Sequence, residues 1–316
     1  MKKRIVRTIV AALVLLLAAC GSGNPSSPAA AKEEAPTVEL KLSHSQNETA
    51  PVTRGLMELS KKLAEKSGGR FKAQVFPSGM LGDTQEMVAQ ALSGSNIGFM
   101  TDAGRFSNFL PEIGILNAPY LFETYEEGNA IVQSDLFKAM TDKLLQQGYR
   151  VLSFNWFEGG RHFVTTKEVK SMKDIKNLKI RTGATPEWVA TLKAFGCLPT
   201  ALPQSEVYSG IQSKVVDGAD QQIITVYGMK LYEIAPYYIL TNHYQLMLGL
   251  CVSDKWFSGL PQDMGQLLIA ESFAAGEYAS QLTLNDVDKM MQEMVQKGLK
   301  VYTPDLAEWR AAAQKV

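Results

Sequence analysis

The strongest constraint on this fold is a change of hydrophobic period, repeated along Val38–Asp102. "VELKLSH" (Val38–His44) alternates apolar and polar residues with period two, the signature of a strand. "APVTRGLMELSKKLAEKSGG" then places Leu56, Leu59 and Leu63 on one side of a helix that Gly68-Gly69 ends. "RFKAQVF" reads as a second strand closed by Pro77-Ser78-Gly79. Asp83 stands at the N-cap of a helix over "TQEMVAQALSG", and "IGFMTD" reads as a third strand. This order predicts an α/β fold, an open and mostly parallel sheet with covering helices. Ligands of such sheets sit beyond the carboxyl ends of the strands, where His44, Thr101 and Asp102 fall.

The alternation then resumes. After the helix "TYEEGNAIVQSDLFKAMTDKLLQQG", the segments "YRVLSFNWF" and "RHFVTT" read as two strands. Leu178 and Ile180 mark a short strand that leads into a helix carrying Trp188, Val189, Leu192 and Phe195. "YYILTNHYQLMLGLCVS" is an apolar stretch long enough to pass from one lobe to another. Pro261–Lys297 holds 37 residues with no proline after the first, about 55 Å if wholly helical. It is one helix crossing a two-lobed molecule, or two shorter ones broken near Leu282–Asn285. The 280 residues from Thr37 to Val316 suffice for two lobes or one large domain.

The amino-terminal end follows other rules. "MKKRIVRTIVAALVLLLAAC" is a basic start, an apolar run and a cysteine, the layout of a secretory signal. Leu17-Ala18-Ala19-Cys20 looks like the lipobox of bacterial lipoproteins, which makes residues 1–19 a signal peptide and Cys20 the lipidated residue. The alternative is an ordinary signal peptide with a chance cysteine. "GSGNPSSPAAAKEEAP" has no apolar periodicity, so residues 20–36 read as a lipidated, flexible tether. The expected location is extracytoplasmic, in the periplasm or at the cell surface. Removing Lys2, Lys3, Arg4 and Arg7 from the 32 basic residues leaves 28 against 32 acidic ones, a net −4. That charge argues against nucleic acid and against a polybasic membrane-surface role. Cys197 and Cys251 lie in apolar surroundings, either as a disulfide or as buried thiols.

Recognisable catalytic patterns are missing. There is no dinucleotide fingerprint, phosphate-cradling Gly-Lys-Ser/Thr loop or Gly-x-Ser-x-Gly elbow. His44, His162 and His243 lack metal-ligand spacing, and neither metal nor cofactor is expected. One residue stands out against this background. Arg181 ends the strand "LKIR", where a buried guanidinium is costly unless an anion meets it.

The chain resembles the solute-binding proteins of tripartite ATP-independent periplasmic (TRAP) transporters, DctP type. The resemblance rests on "GGRFKAQVFPSGMLGD", "PEIGILNAPYLF", "GGRHFVTT", "LKIRTGATPEWVATLKAFGCLPTALPQSEVYSGIQSKVVDGADQQ" and "YEIAPYYILTNH", in family order. It implies a periplasmic-binding-protein-like fold of class II type, with each lobe an open mixed sheet. Crossing strands and a long shared helix would join the lobes. We expect lobe I over 37–158 plus about 247–285, and lobe II over 159–246 plus about 286–316.

Arg181 matches the family's carboxylate-binding arginine, whose fork of donors fits a carboxylate bidentately. Arg161 matches a second arginine of the cleft, or else stabilises the hinge. Gln221 stands where the family commonly has asparagine, and Gln204 where relatives often carry an aromatic residue. His44, Asp83 and Thr101 are first-lobe candidates, and Trp156 is placed beside the hinge to pack on ligand or core. The implied partners are a small carboxylate, the small and large membrane permease subunits, and the membrane through Cys20. Two arginines allow a C4-dicarboxylate, while Gln204, Gln221 and Gln222 suit the hydroxyls of a sugar acid such as a uronate. The alternative from another class is a secreted lyase or hydrolase acting on such acids, with His162 or His243 as base.

Overall fold

The computed structural model describes residues 36–316. Cys20, the signal segment 1–19 and nearly all of the tether 20–36 lie outside the described residues. The strands are β1 (Val38–Ser43), β2 (Phe71–Phe76), β3 (Ile97–Thr101), β4 (Tyr149–Thr165), β5 (Lys179–Thr182), β6 (Leu198–Ala201), β7 (Gly218–Gln222), β8 (Tyr237–Ser253) and β9 (Lys300–Tyr302). The first six helices are α1 (Pro51–Lys66), α2 (Thr84–Ala91), α3 (Ala103–Phe106), α4 (Tyr125–Val132), α5 (Asp135–Gln146) and α6 (Met172–Ile175). They are followed by α7 (Pro186–Ala194), α8 (Val207–Gln212), α9 (Ile223–Gly228), α10 (Asp254–Phe257), α11 (Gln262–Gln296) and α12 (Ala307–Ala313).

The opening reads as expected from the sequence. β2, β1 and β3 lie side by side and parallel, with α1 and α2 as their crossovers. Asp83 caps α2 reciprocally with Glu86, each side chain accepting the other's backbone N–H at 2.9 Å. β5 lies parallel between β6 and β7, which makes a second, smaller parallel group.

Two 17-residue strands, β4 and β8, join these groups. They run antiparallel along their whole length, so the ladder is a single path: β2-β1-β3-β8-β4-β7-β5-β6, with β9 on β8. The sequence read β4 as two strands because Gly159-Gly160 look like a stop. Here they carry the strand through a crossing. The register shifts between Phe157 and Gly159 and again between Arg161 and Phe163. Gly159 has φ +92°, which an L side chain rarely adopts, and a Cβ on Gly160 would stand 2.0 Å from Asn242 Oδ1 of β8. The sheet therefore bends where it is thinnest in side chains.

Each half buries apolar residues on both faces. In the first, Leu40, Leu42, Leu56, Leu248 and Leu250 form one cluster, while Phe99, Phe106, Phe137 and Phe154 form another. In the second half, Phe163, Ile180, Phe195 and Trp309 gather on one face and Val164, Ala219, Tyr238 and Met294 on the other. α11 is one unbroken helix of 35 residues, about 52 Å long. Its Leu268, Ala275 and Ala279 pack in the first half, whereas Met294 packs in the second. Cys197 and Cys251 are both buried and free, and burial pushes both thiols upward in pKa. They form no disulfide.

Trp156 corrects one expectation. Strand alternation turns it onto the α1/α11 face, away from the cleft, where it is 1% exposed and its Nε1 donates to Ser153 Oγ at 2.8 Å. It is core. Close helix packing there depends on small residues, since a Cβ on Gly55 would meet Ala279 Cβ at 2.7 Å and Trp156 Cζ3 at 2.8 Å. Helix propensity alone would favour Gly55→Ala by up to ~1 kcal/mol, but overpacking costs ~1–3 kcal/mol. We therefore predict a net loss of stability in Gly55→Ala, read as a lower urea midpoint. An unchanged or higher midpoint would contradict this packing.

Candidate functional site

Beyond the carboxyl ends of β1, β3, β5 and β7 lies a cleft with an outer and an inner part. The outer cavity, of about 270 Å³, is lined by Ser45, Asp83, Arg105, Arg181 and Gln204 among others. The inner chamber, of about 50 Å³, shares Arg105, Arg181 and Gln204 and adds His44, Thr101, Glu158, Arg161, Trp188 and Gln221. Together they just reach the lower end of the range for small-molecule sites, ~300 Å³.

Arg181 is held by alternation. Ile180 faces the apolar cluster beneath β5, so Arg181 turns the opposite way and is 3% exposed. Its Nε and Nη2 both donate to the Leu202 carbonyl, at 3.0 and 2.7 Å. These bonds aim the fork without neutralising it. Among the described residues Arg181 makes no ion pair. Burial, with Arg161 and Arg105 nearby, pulls its pKa down to about 9, which leaves it cationic at neutral pH.

The other two arginines are compensated. Arg161 donates through Nε and Nη2 to the two carboxylate oxygens of Asp220, each at 2.9 Å, and its guanidinium lies 4.1 Å over the Trp188 ring. Burial alone would raise the Asp220 carboxyl, yet Arg161 and His243 overcome it and hold Asp220 well below the usual carboxylate range. Arg105 pairs with Asp102, the N-cap of α3. Of the three arginines that line the chamber, two are ion-paired with aspartates, and Arg181 is the one without a carboxylate partner.

The remaining candidates are placed as follows. Gln221 donates to Gln204 Oε1 at 3.2 Å, and Gln204 donates in turn to Met229 Sδ. Gln221 therefore braces Gln204 rather than Arg181. His44 accepts the Gln46 backbone N–H at Nδ1 (3.2 Å) and meets Thr53 Oγ1 at Nε2 (3.1 Å). Burial pushes its pKa down to about 4, so it is neutral. Asp83 lines the outer cavity while serving α2 as a cap. Thr101 lines the inner chamber with its hydroxyl buried and unpartnered.

Sequence reasoning missed Glu158, Trp188, Arg105 and Asp220. The test applied to Arg181, a charge in an apolar strand, would have found Glu158 in "NWFEGGR", whereas Asp220 sits in the polar stretch "DGADQQ" and carries no such signal. The lyase reading loses its bases. His243 is fully buried, stacked 4.8 Å from Phe163, and His162 lines another cavity, beside Gly159, Gly160 and Asn242, rather than the inner chamber. Among the described residues no group of three His, Cys, Asp or Glu is placed to hold a metal, and no helix is long and apolar enough to cross a membrane.

A family model matches residues 42–316: DctP, bacterial extracellular solute-binding protein, family 7. The chain belongs to this family. Among curated relatives, the 2,3-diketo-L-gulonate-binding periplasmic protein YiaO of Escherichia coli K12 is 28% identical, covering 76% of this chain and 74% of that protein. A TRAP solute-binding protein from Actinobacillus succinogenes, solved with bound L-galactonate, superposes with a TM-score of 0.87 at 26% identity, over 88% of this chain and 92% of that one. An apo, open TRAP solute-binding protein from Escherichia fergusonii is 34% identical over 89% and 94%, but its TM-score is 0.78. This DctP-family chain is thus closer in shape to the liganded relative than to the open one, despite the lower identity. Bonds across the cleft agree with a closed form: Gln46, at the end of β1, reaches Thr225 of α9 at 2.9 Å.

Two buried neutral histidines give the fold an acid limit. Burial lowers His44 to about 4 and, with His243 adding to the effect, His162 to about 3. A depressed histidine contributes stability that is complete above its unfolded pKa near 6.5 and is lost as pH falls toward the folded value. Each contribution is on the order of a few kcal/mol. Glu158, raised by burial to about 7, works in the opposite direction between 4.5 and 7. We expect the urea midpoint to fall between pH 6.5 and 4, and His44→Gln to flatten that fall. An equal slope in the variant would remove His44 from this account.

Proposed function

We propose that this solute-binding protein captures a sugar acid carrying one carboxylate, with Arg181 as the group that meets it. The observation that carries the reading is the charge pattern of the chamber. Arg161 and Arg105 are each matched by an aspartate, which leaves one fork uncompensated. One ligand carboxylate would give that fork the partner that the other two arginines already have. A second carboxylate would enter a chamber that Asp102 and Glu158 also line, with no free cation among the lining residues to meet it. Of the two ligand classes that the sequence left open, this favours a sugar acid over a C4-dicarboxylate.

The lining supports the same choice. Gln46, Gln204, Gln221 and Gln222 offer amides suited to hydroxyls. Two similar proteins, the 2,3-diketo-L-gulonate-binding one and the one solved with L-galactonate, are described with six-carbon sugar acids. In our reading the lobes divide at the register shifts of β4 and the facing part of β8, with lobe I over 37–158 plus about 247–285 and lobe II over 159–246 plus about 286–316. The ligand bridges them and favours closure through contacts with both. The closed receptor, tethered through lipidated Cys20, then hands its ligand to the TRAP permease subunits.

A thermal-shift panel of galactonate, glucuronate, gluconate, succinate and malate tests this. At 100 times its dissociation constant a ligand adds ~2.7 kcal/mol of stability. We expect the sugar acids to stabilise the protein at least tenfold more effectively than the dicarboxylates. Arg181→Lys should weaken binding by roughly 100-fold with the apo unfolding midpoint little changed, because a point charge cannot replace the fork. Undiminished affinity in Arg181→Lys, or a preference for succinate, would overturn the reading.

A further inference from the structure

Three residues that line the inner chamber each carry a buried polar atom without a hydrogen-bond partner, Glu158 Oε1, Thr101 Oγ1 and Trp188 Nε1, and Glu158 also lines the cavity beside Gly159 and Gly160. Buried polar groups in folded proteins are nearly always paired, so three orphans around one chamber point to groups that a ligand brings. Two of them, a hydroxyl and an indole N–H, can donate. Glu158 is the exception, a carboxyl 3% exposed and without an ion pair among the described residues.

Its position is built. Glu158 Oε2 accepts from Gln46 Nε2 at 3.2 Å and from Gln222 Nε2 at 3.1 Å, one amide following β1 and the other ending β7. Both amides line the chamber, and both are bonded again to Thr225 or through it. This network locks the rotamer of Glu158 and occupies one oxygen only. We propose that Glu158 is a specificity-determining residue whose Oε1 accepts a hydrogen bond from a ligand hydroxyl, selecting hydroxylated acids and repelling a second carboxylate. The inference rests on the sugar-acid reading above and names the residue that enforces it.

Chemistry favours the assignment. A carboxyl oxygen is a strong acceptor for O–H, and a site built to bond a hydroxyl rejects the analogue that lacks it far better than an apolar pocket rejects an added group. Burial, opposed by the Gln46 bond and by Arg161 nearby, leaves the carboxyl titrating at about 7, so it is not committed to an ion pair. Arg161, the closest cation on the same strand, is already engaged by Asp220.

The test is calorimetric titration of wild type, Glu158→Gln and Glu158→Leu with galactonate, hexanoate and adipate. These share a six-carbon chain and differ in hydroxyls or in a second carboxylate. Wild type should prefer galactonate to hexanoate by about 100-fold or more. Glu158→Leu should cut that ratio at least about tenfold by weakening galactonate alone. Glu158→Gln should restore part of the ratio and improve adipate, because it keeps an acceptor and drops the charge. Should the leucine variant fail to fold, the galactonate-to-adipate ratio in Glu158→Gln carries the test. Equal weakening of all three acids would make Glu158 a closure latch and overturn the inference while leaving the Arg181 reading intact. Wild-type preference for adipate over galactonate would overturn the sugar-acid reading and this inference with it.

Discussion

One uncompensated guanidinium organises this molecule. A cation that is 3% exposed is tolerable only where its surroundings hold it and an anion can reach it. Arg181 is held by a carbonyl, which supplies direction but no charge. Its two arginine neighbours carry their own aspartates, so Arg181 is the fork without a carboxylate partner. The ion pairs that fix the wall are internal, while the unpaired fork lines the cleft.

The scaffold makes such a site possible by letting two half-sheets share two strands. β4 and β8 carry side chains into both halves, so Glu158 and Arg161, three residues apart, stand on either side of the bend. Gly159 takes a positive φ and Gly160 packs closely on Asn242 at the crossing, and α11 spans it with packing at both ends. The first half brings His44, Asp83, Thr101 and Arg105, the second brings Arg181, Gln204 and Gln221. Neither half alone lines the cleft. Higher shape similarity to a liganded relative than to an open one, against the order of sequence identity, fits a hinge of this kind.

Much of this was legible in the residues. Period-two runs and capped helices marked β1 to β3 and their crossovers, and the uninterrupted run after Pro261 marked α11. Arg181 could be singled out because a charge at the end of an apolar strand violates the local pattern. What escaped were features that depend on contacts distant in sequence. The two glycines of β4 look like a stop unless the pairing with β8 is known. Whether Arg161 is free or paired depends on Asp220, 59 residues away. Trp156 is the tryptophan that the sequence singles out and Trp188 reads only as an apolar helix residue, yet alternation sends the first into the α1/α11 core, while α7 sets the second against Arg161. Residue pattern locates a buried charge, but only the fold shows which charges are already answered.

The central claim is that the ligand's single carboxylate answers Arg181. The most direct measurement is calorimetric titration of the wild-type protein with an aldonate and with the matching alditol, which replaces the carboxylate by a hydroxymethyl group and keeps every other hydroxyl. The account predicts tight binding of the acid and loss of at least about a thousandfold for the alditol, since a charge-assisted bidentate contact disappears and leaves the buried fork unmet. Comparable affinity for the two would mean that the cleft reads hydroxyls alone, and the role assigned to Arg181 would be wrong.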